Sequence, residues 1–160
     1  MMINLRNIQL MLFCGLLGIG SPDPISQPLS LSIAAVEQTG RLGSEVRLRT
    51  KLTNISNHVL TFFDTDPDCD YLAEVRDENG NLARPTDHKL LLKCNNGLAD
   101  GRKILVTLKP QESRDDEILL NRLYQLTRPG NYSVQVSRAI PKEPGGGATK
   151  SNTITIKIIQ

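Results

Sequence analysis

The feature that most constrains this chain is the run Pro129-Gly130-Asn131-Tyr132-Ser133-Val134-Gln135-Val136. A Pro-Gly turn feeds a tyrosine, and the tyrosine opens a strict alternation of apolar and polar residues. Period two places Tyr132, Val134 and Val136 on one face of a strand and Ser133, Gln135 and Ser137 on the other. A tyrosine at such a corner, with its hydroxyl free to reach upstream backbone, is the corner device of Greek-key sandwiches. Pro129, Gly130 and Tyr132 are therefore read as a structural corner, and the chain as all-β.

The same period recurs along the sequence. Leu29, Leu31 and Ile33 alternate with serines, and Val46, Leu48, Thr50 and Leu52 alternate with Arg47, Arg49 and Lys51. Further strand-like runs are Val59–Phe63, Tyr71–Val75 before the turn Asp77-Glu78-Asn79-Gly80, Ile104–Leu108, residues 131–138 and Ile154–Ile158. Leu90–Leu92 reads as a short apolar run, Ile118–Leu120 as a further strand, and Asn121–Leu126 as a single helical turn. Eight or nine short segments without a long helical period predict an immunoglobulin-like antiparallel β-sandwich of about 7–9 strands.

Before it comes a segment of another kind. Arg6 precedes an apolar run, Ile8–Gly20, interrupted only by Gln9. Its thirteen residues fall short of the roughly 20 that a spanning helix needs, and match the apolar centre of a secretory signal peptide. Cleavage after Gly20 is expected, giving residues 1–20 as signal, 21–28 as an extended segment and 29–160 as the domain. The mature protein would be secreted or periplasmic, with no membrane span. Export discards Cys14 and leaves Cys69 and Cys94, which in an oxidising compartment form one disulfide. On the chain-entropy model such a bridge contributes about 3 kcal/mol.

The remaining composition narrows the function. Formal charge is +2 for the chain and +1 once Arg6 is removed, too little for a nucleic-acid footprint. Aromatic residues make up 4% with no tryptophan, so stacking platforms for bases or sugars are scarce. No Gly-x-Ser-x-Gly elbow or phosphate-binding glycine loop occurs, which points away from an enzyme. Glu112, Asp115, Asp116 and Glu117 read as a solvated acidic turn, and His58 and His88 as surface histidines. The basic stripe Arg47, Arg49 and Lys51 reads as a solvated strand face.

Two segments remain as candidates. Asp64, Asp66, Asp68 and Asp70 supply carboxylates at two-residue spacing, the hard oxygens that Ca²⁺ prefers. The spacing is not that of an EF-hand, because Cys69 and Val75 stand where that loop needs Gly and Glu. The alternative is a solvated acidic loop around a disulfide; Ca²⁺ is the only cofactor the residues suggest. The second segment is the loop between the last two strands, Ala139–Asn152. Its Lys142, Glu143, Gly145, Gly146 and Gly147 form a candidate binding loop of the kind that carries recognition on sandwich folds.

The order of turn signals, Thr53-Asn54-Ile55-Ser56-Asn57, Tyr71–Asn81, Leu108–Ser113 and Pro129-Gly130-Asn131-Tyr132, resembles the layout of bacterial immunoglobulin-like domains such as the BsuPI-like intracellular proteinase inhibitor family. The likeness covers roughly residues 45–138. It departs from that family in its export signal and in Gln111, which stands where a glycine is common, and no reactive-loop motif carries over. The resemblance implies a sandwich and makes inhibition an expectation. The expected protein is a monomeric, exported module that binds another protein. Proteinase inhibition through a sandwich-end loop and calcium-dependent adhesion are the alternatives.

Overall fold

Strict alternation sets the core. In the computed structural model, which describes residues 28–95, 98–99, 103–139 and 147–160, every predicted inward residue of the first long strands is buried. The elements in chain order are β1 (Leu29–Ala35), β2 (Thr39–Arg41), β3 (Arg47–Asn54), β4 (Leu60–Asp64), α1 (Pro67–Asp70), β5 (Tyr71–Arg76), α2 (Asp87–Leu91), β6 (Cys94–Asn95), β7 (Leu98–Ala99), β8 (Ile104–Leu108), β9 (Ser113–Leu119), α3 (Leu120–Leu123), β10 (Gly130–Ala139) and β11 (Ala148–Ile159). The proposed signal and the segment up to residue 27 lie outside the described residues, as do Lys142, Glu143, Gly145 and Gly146.

Two sheets face each other, one ordered β1-β3-β9 and the other β2-β11-β10-β5, with two-stranded pairs β4-β8 and β6-β7 beside them. Leu31, Leu48, Leu52 and Ile118 from the first sheet share one core with Tyr71, Val75, Val134, Val136 and Ile156 from the second. The fold is all-β and immunoglobulin-like. It has eleven strand segments among the described residues, more than the 7–9 expected, because β2, β6 and β7 are only two or three residues long.

Side chains close the seams that strand pairing leaves open. On one side Asn152 of β11 mimics a neighbouring strand: its Oδ1 accepts from Ile33 N at 2.9 Å and its Nδ2 donates to Ile33 O at 3.1 Å. At the β5 edge, the Tyr124 hydroxyl donates to Ala73 O at 2.5 Å and Ala83 N donates to Val75 O at 2.8 Å. Strand edges treated this way resist pairing with other chains. At the far end of β3, Asn54 is fully buried. Its Nδ2 donates to His58 O and Leu108 O at 2.8 and 3.0 Å. Its Oδ1 accepts from Ser56 N at 2.9 Å and from the Ser56 hydroxyl at 2.7 Å.

The corner has the geometry of its type. Tyr132 is buried and its hydroxyl donates to Arg128 O at 2.9 Å, with Gly130 at φ +148° making the bend beneath it. The turn joining β8 to β9 is less relaxed. Gln111 has φ 65°, a left-handed conformation that costs an L-residue about 1–2 kcal/mol. Its N–H donates to Asn54 O at 2.8 Å, so the surroundings hold it there. Gln111→Gly is expected to raise stability by about 1 kcal/mol, read as a higher denaturation midpoint at unchanged slope.

Four expectations are corrected. Leu90 and Leu91 belong to α2, because Thr86 accepts from Lys89 N and caps a helical turn at 3.2 Å. The acidic stretch 115–117 is the middle of β9, not a turn. There Asp115 lies opposite Lys51 and Glu117 opposite Arg49, so the basic stripe faces an acidic one across the sheet. The last loop is shorter than 139–152, since β11 already begins at Ala148. The aspartates of 64–70 are not a solvated loop, as the next subsection describes.

Candidate functional site

Asp66-Pro67 starts a helix. The Asp66 carboxylate accepts from Asp68 N at 2.9 Å while Pro67 occupies the first turn, where its missing N–H costs nothing. This short helix turns Asp68, Cys69 and Asp70 inward and all three are buried. Cys69 is bonded to Cys94 with Cα atoms 5.3 Å apart, which ties α1 to the β6-β7 pair.

The buried aspartates go to different partners. Asp64 ends β4 in the inward register of Leu60 and Phe62, and is 3% exposed. It takes the Arg138 guanidinium on Oδ1, and Arg114 Nε lies 2.5 Å from its Oδ2. Arg138 is itself 4% exposed, sits 5.1 Å from the centroid of Phe62 and 4.8 Å from that of Tyr71, and leaves Nη1 without a hydrogen-bond partner. Asp70 accepts from Thr65 N at 2.8 Å and from the Thr65 hydroxyl at 2.5 Å, with Arg138 Nη2 at 3.8 Å. Tyr71 donates its hydroxyl to Asp116 Oδ2 at 2.9 Å.

Burial sets the protonation pattern of this cluster. It pushes the Asp70 carboxyl up, more than Thr65 and Arg138 pull it down, and pushes the Tyr71 phenol up to about 12. Burial opposes the charge on Arg138, but Tyr71, Asp64 and Asp70 outweigh it, and its pKa stands above the ordinary arginine value. A permanent cation is thereby caged between aromatic faces and carboxylates.

Asp68 forms a second, separate centre. Its Oδ2 is shared by Arg122 and by His88 Nε2 at 3.2 Å, its backbone carbonyl accepts from Lys89 Nζ at 3.0 Å, and its Oδ1 is buried without a partner. The Asp66 carboxylate is spent on the helix cap. The four aspartates proposed for Ca²⁺ are thus divided among a cap, two cation-filled pockets and a threonine clamp. Among the described residues no group of three or more His, Cys, Asp or Glu side chains is arranged to hold a metal. Gly147, the described member of the candidate loop, directly precedes β11, and a Cβ there would meet nothing within 4 Å. Among the described residues no helix is long and apolar enough to cross a membrane.

Sequence reasoning missed Arg138 and the inward turn of Asp64. The signal was there: continuing the alternation Tyr132, Val134, Val136 by one step puts Arg138 inside, and an inward arginine needs a buried anion.

No protein-family profile matches the chain, and no curated protein matches it significantly. Solved structures do. The crystal structure of the CARDB domain of the PF1109 protein from Pyrococcus furiosus, in complex with di-metal ions, is 12% identical. It aligns over 82% of this chain and 87% of that one at a TM-score of 0.41. The solution structure of the same domain is 11% identical, over 82% and 94%, at 0.40. A β-glucosidase, EmGH1 from Erythrobacter marinus, is 15% identical over 82% of this chain but only 15% of its own, at 0.43. The likeness is one of overall layout. At these values no ligand or activity passes from those proteins to this chain.

Proposed function

We propose that this protein is an exported, non-catalytic immunoglobulin-like module that binds another protein. The observation that carries the reading is the β4-β8 pair. Phe63 lies directly opposite Leu105 on its outward face, 49% and 61% exposed, with Val59 in the same register at 52%. Neither strand has a second strand partner among the described residues. An apolar cross-strand pair on a ribbon with open edges suits a polypeptide, which alone can meet a row of N–H and C=O groups at strand spacing. The disulfide supports export, since such bonds persist in oxidising compartments.

The test places a photoreactive phenylalanine analogue at position 105 in the producing cells. One discrete covalent adduct is expected, lost when Phe63→Glu is added and absent when the analogue stands at Arg49 on the other sheet. Indifference of the adduct to Phe63→Glu, or no adduct at all, would overturn the reading. An adduct whose mass is twice the chain would make the partner a second copy. A stoichiometric complex with a protease, abolished by replacing Lys142–Gly147, would move inhibition to first place.

A further inference from the structure

α2 is inside out. A helix of five residues ordinarily persists by burying an apolar face, yet α2 buries no residue. It is held from its polar side: Thr86 caps its start and donates to Arg122 O at 2.5 Å, while His88 and Lys89 engage Asp68. The disulfide at Cys94 fixes the chain just beyond it. What it shows to solvent is Leu90 and Leu91, 68% and 79% exposed, the latter the most exposed large apolar side chain among the described residues.

Along the chain on either side of the tip the charges are mostly positive. Between Leu82 and Lys93 the chain carries Arg84, Lys89 and Lys93 against Asp87. Arg84 and Lys93 are exposed, and Lys89 is half-buried. The nearby acids are already engaged, Asp68 by Arg122 and Asp66 by the α1 N-terminus.

We propose that this tip, Leu90 and Leu91 with the exposed Arg84 and Lys93 on either side of them in the chain, docks on an anionic lipid surface. Between Leu82 and Lys93 there is no Phe, Tyr or Trp side chain, unlike the β4-β8 surface with its Phe63, and protein interfaces are enriched in aromatic residues and depleted in lysine. Adjacent leucines beside lysine are instead what a bilayer boundary takes, with acyl chains receiving the apolar ends and acidic headgroups the cations. The proposal is independent of the β4-β8 surface, which lies on other residues.

The experiment is flotation with vesicles of equal parts phosphatidylglycerol and phosphatidylcholine, against phosphatidylcholine alone. It uses the full chain and the chain from Pro28, which holds every core residue among the described ones and lacks the apolar run 8–20. The chain from Pro28 is expected to float with the anionic vesicles only, less so at high salt. Leu90→Ser with Leu91→Ser is expected to weaken binding by at least about tenfold, with an unchanged melting temperature because both side chains are already exposed. Lys93→Glu is expected to weaken binding in the same vesicles without unfolding the domain. Flotation unaffected by the leucine pair, or equal on neutral vesicles, overturns the proposal. Absence of flotation overturns it too and leaves the tip to an acidic protein surface.

Discussion

Arg138→Met is expected to cost about 3–5 kcal/mol, the usual consequence of removing one partner of a buried ion pair. Methionine replaces much of the volume between Phe62 and Tyr71, so the loss reports charge and not a cavity. Asp64 and Asp70, both buried, would then face each other with only the half-exposed Arg114 beside Asp64. Two results check the cause. Adding Asp64→Asn should recover part of the loss, because the stranded charge is gone. The loss should also shrink as the solution is acidified. Burial raises the folded pKa of Asp70 and Arg138 lowers it, so without Arg138 the carboxyl stands higher still and takes up its proton at a higher pH than in the parent. Its contribution to stability therefore improves as pH falls through the folded value. A loss below about 1 kcal/mol, the range of surface pairs, would mean that water reaches the cluster.

Cys69→Ser with Cys94→Ser, or reduction of the native bond, is expected to cost about 3 kcal/mol. The effect should concentrate where few apolar contacts hold the chain. α2 buries nothing, so amide exchange in 87–95 should accelerate most, while β10 and β11 keep their protection until global unfolding. A uniform acceleration across the domain would show that the bridge stabilises only by restricting the unfolded chain. No change in the midpoint would show that the polar contacts to Asp68 suffice to hold α2.

Where side chains alternate in and out, the sequence was readable. Leu29 to Ile33, Val46 to Leu52 and Tyr132 to Val136 landed on the faces that period two assigns, because one face of each is buried and the pattern has no other solution. Only the end of β9, at Ile118, was legible, because its alternation is carried by Arg114, Asp116 and Ile118, so only one of the inward residues is apolar; the other two serve the cluster around Asp64 and Tyr71. α1 was missed although Asp66-Pro67 is a helix-start signal, because four aspartates in a row of seven residues suggested solvation. The burial of Asp64, Asp68 and Asp70 depends on Arg138, Arg114 and Arg122, up to 74 residues distant, and no local pattern pairs them. Gln111 is the converse case. A position where glycine is common in similar layouts turned out to need the left-handed conformation that glycine takes freely.

Asn54 carries a consequence for where such a chain can be made. Asn54-Ile55-Ser56 has the pattern that glycosylating secretory pathways modify on the asparagine side-chain nitrogen. That nitrogen is fully enclosed here, and both of its hydrogens are committed, to His58 O and Leu108 O. A sugar attached before folding would remove one donor and could not be enclosed, so the loop after β3 and the end of β8 could not be drawn together. The junction that locks the sandwich is compatible with export only through a route that leaves this asparagine bare until the domain has closed over it.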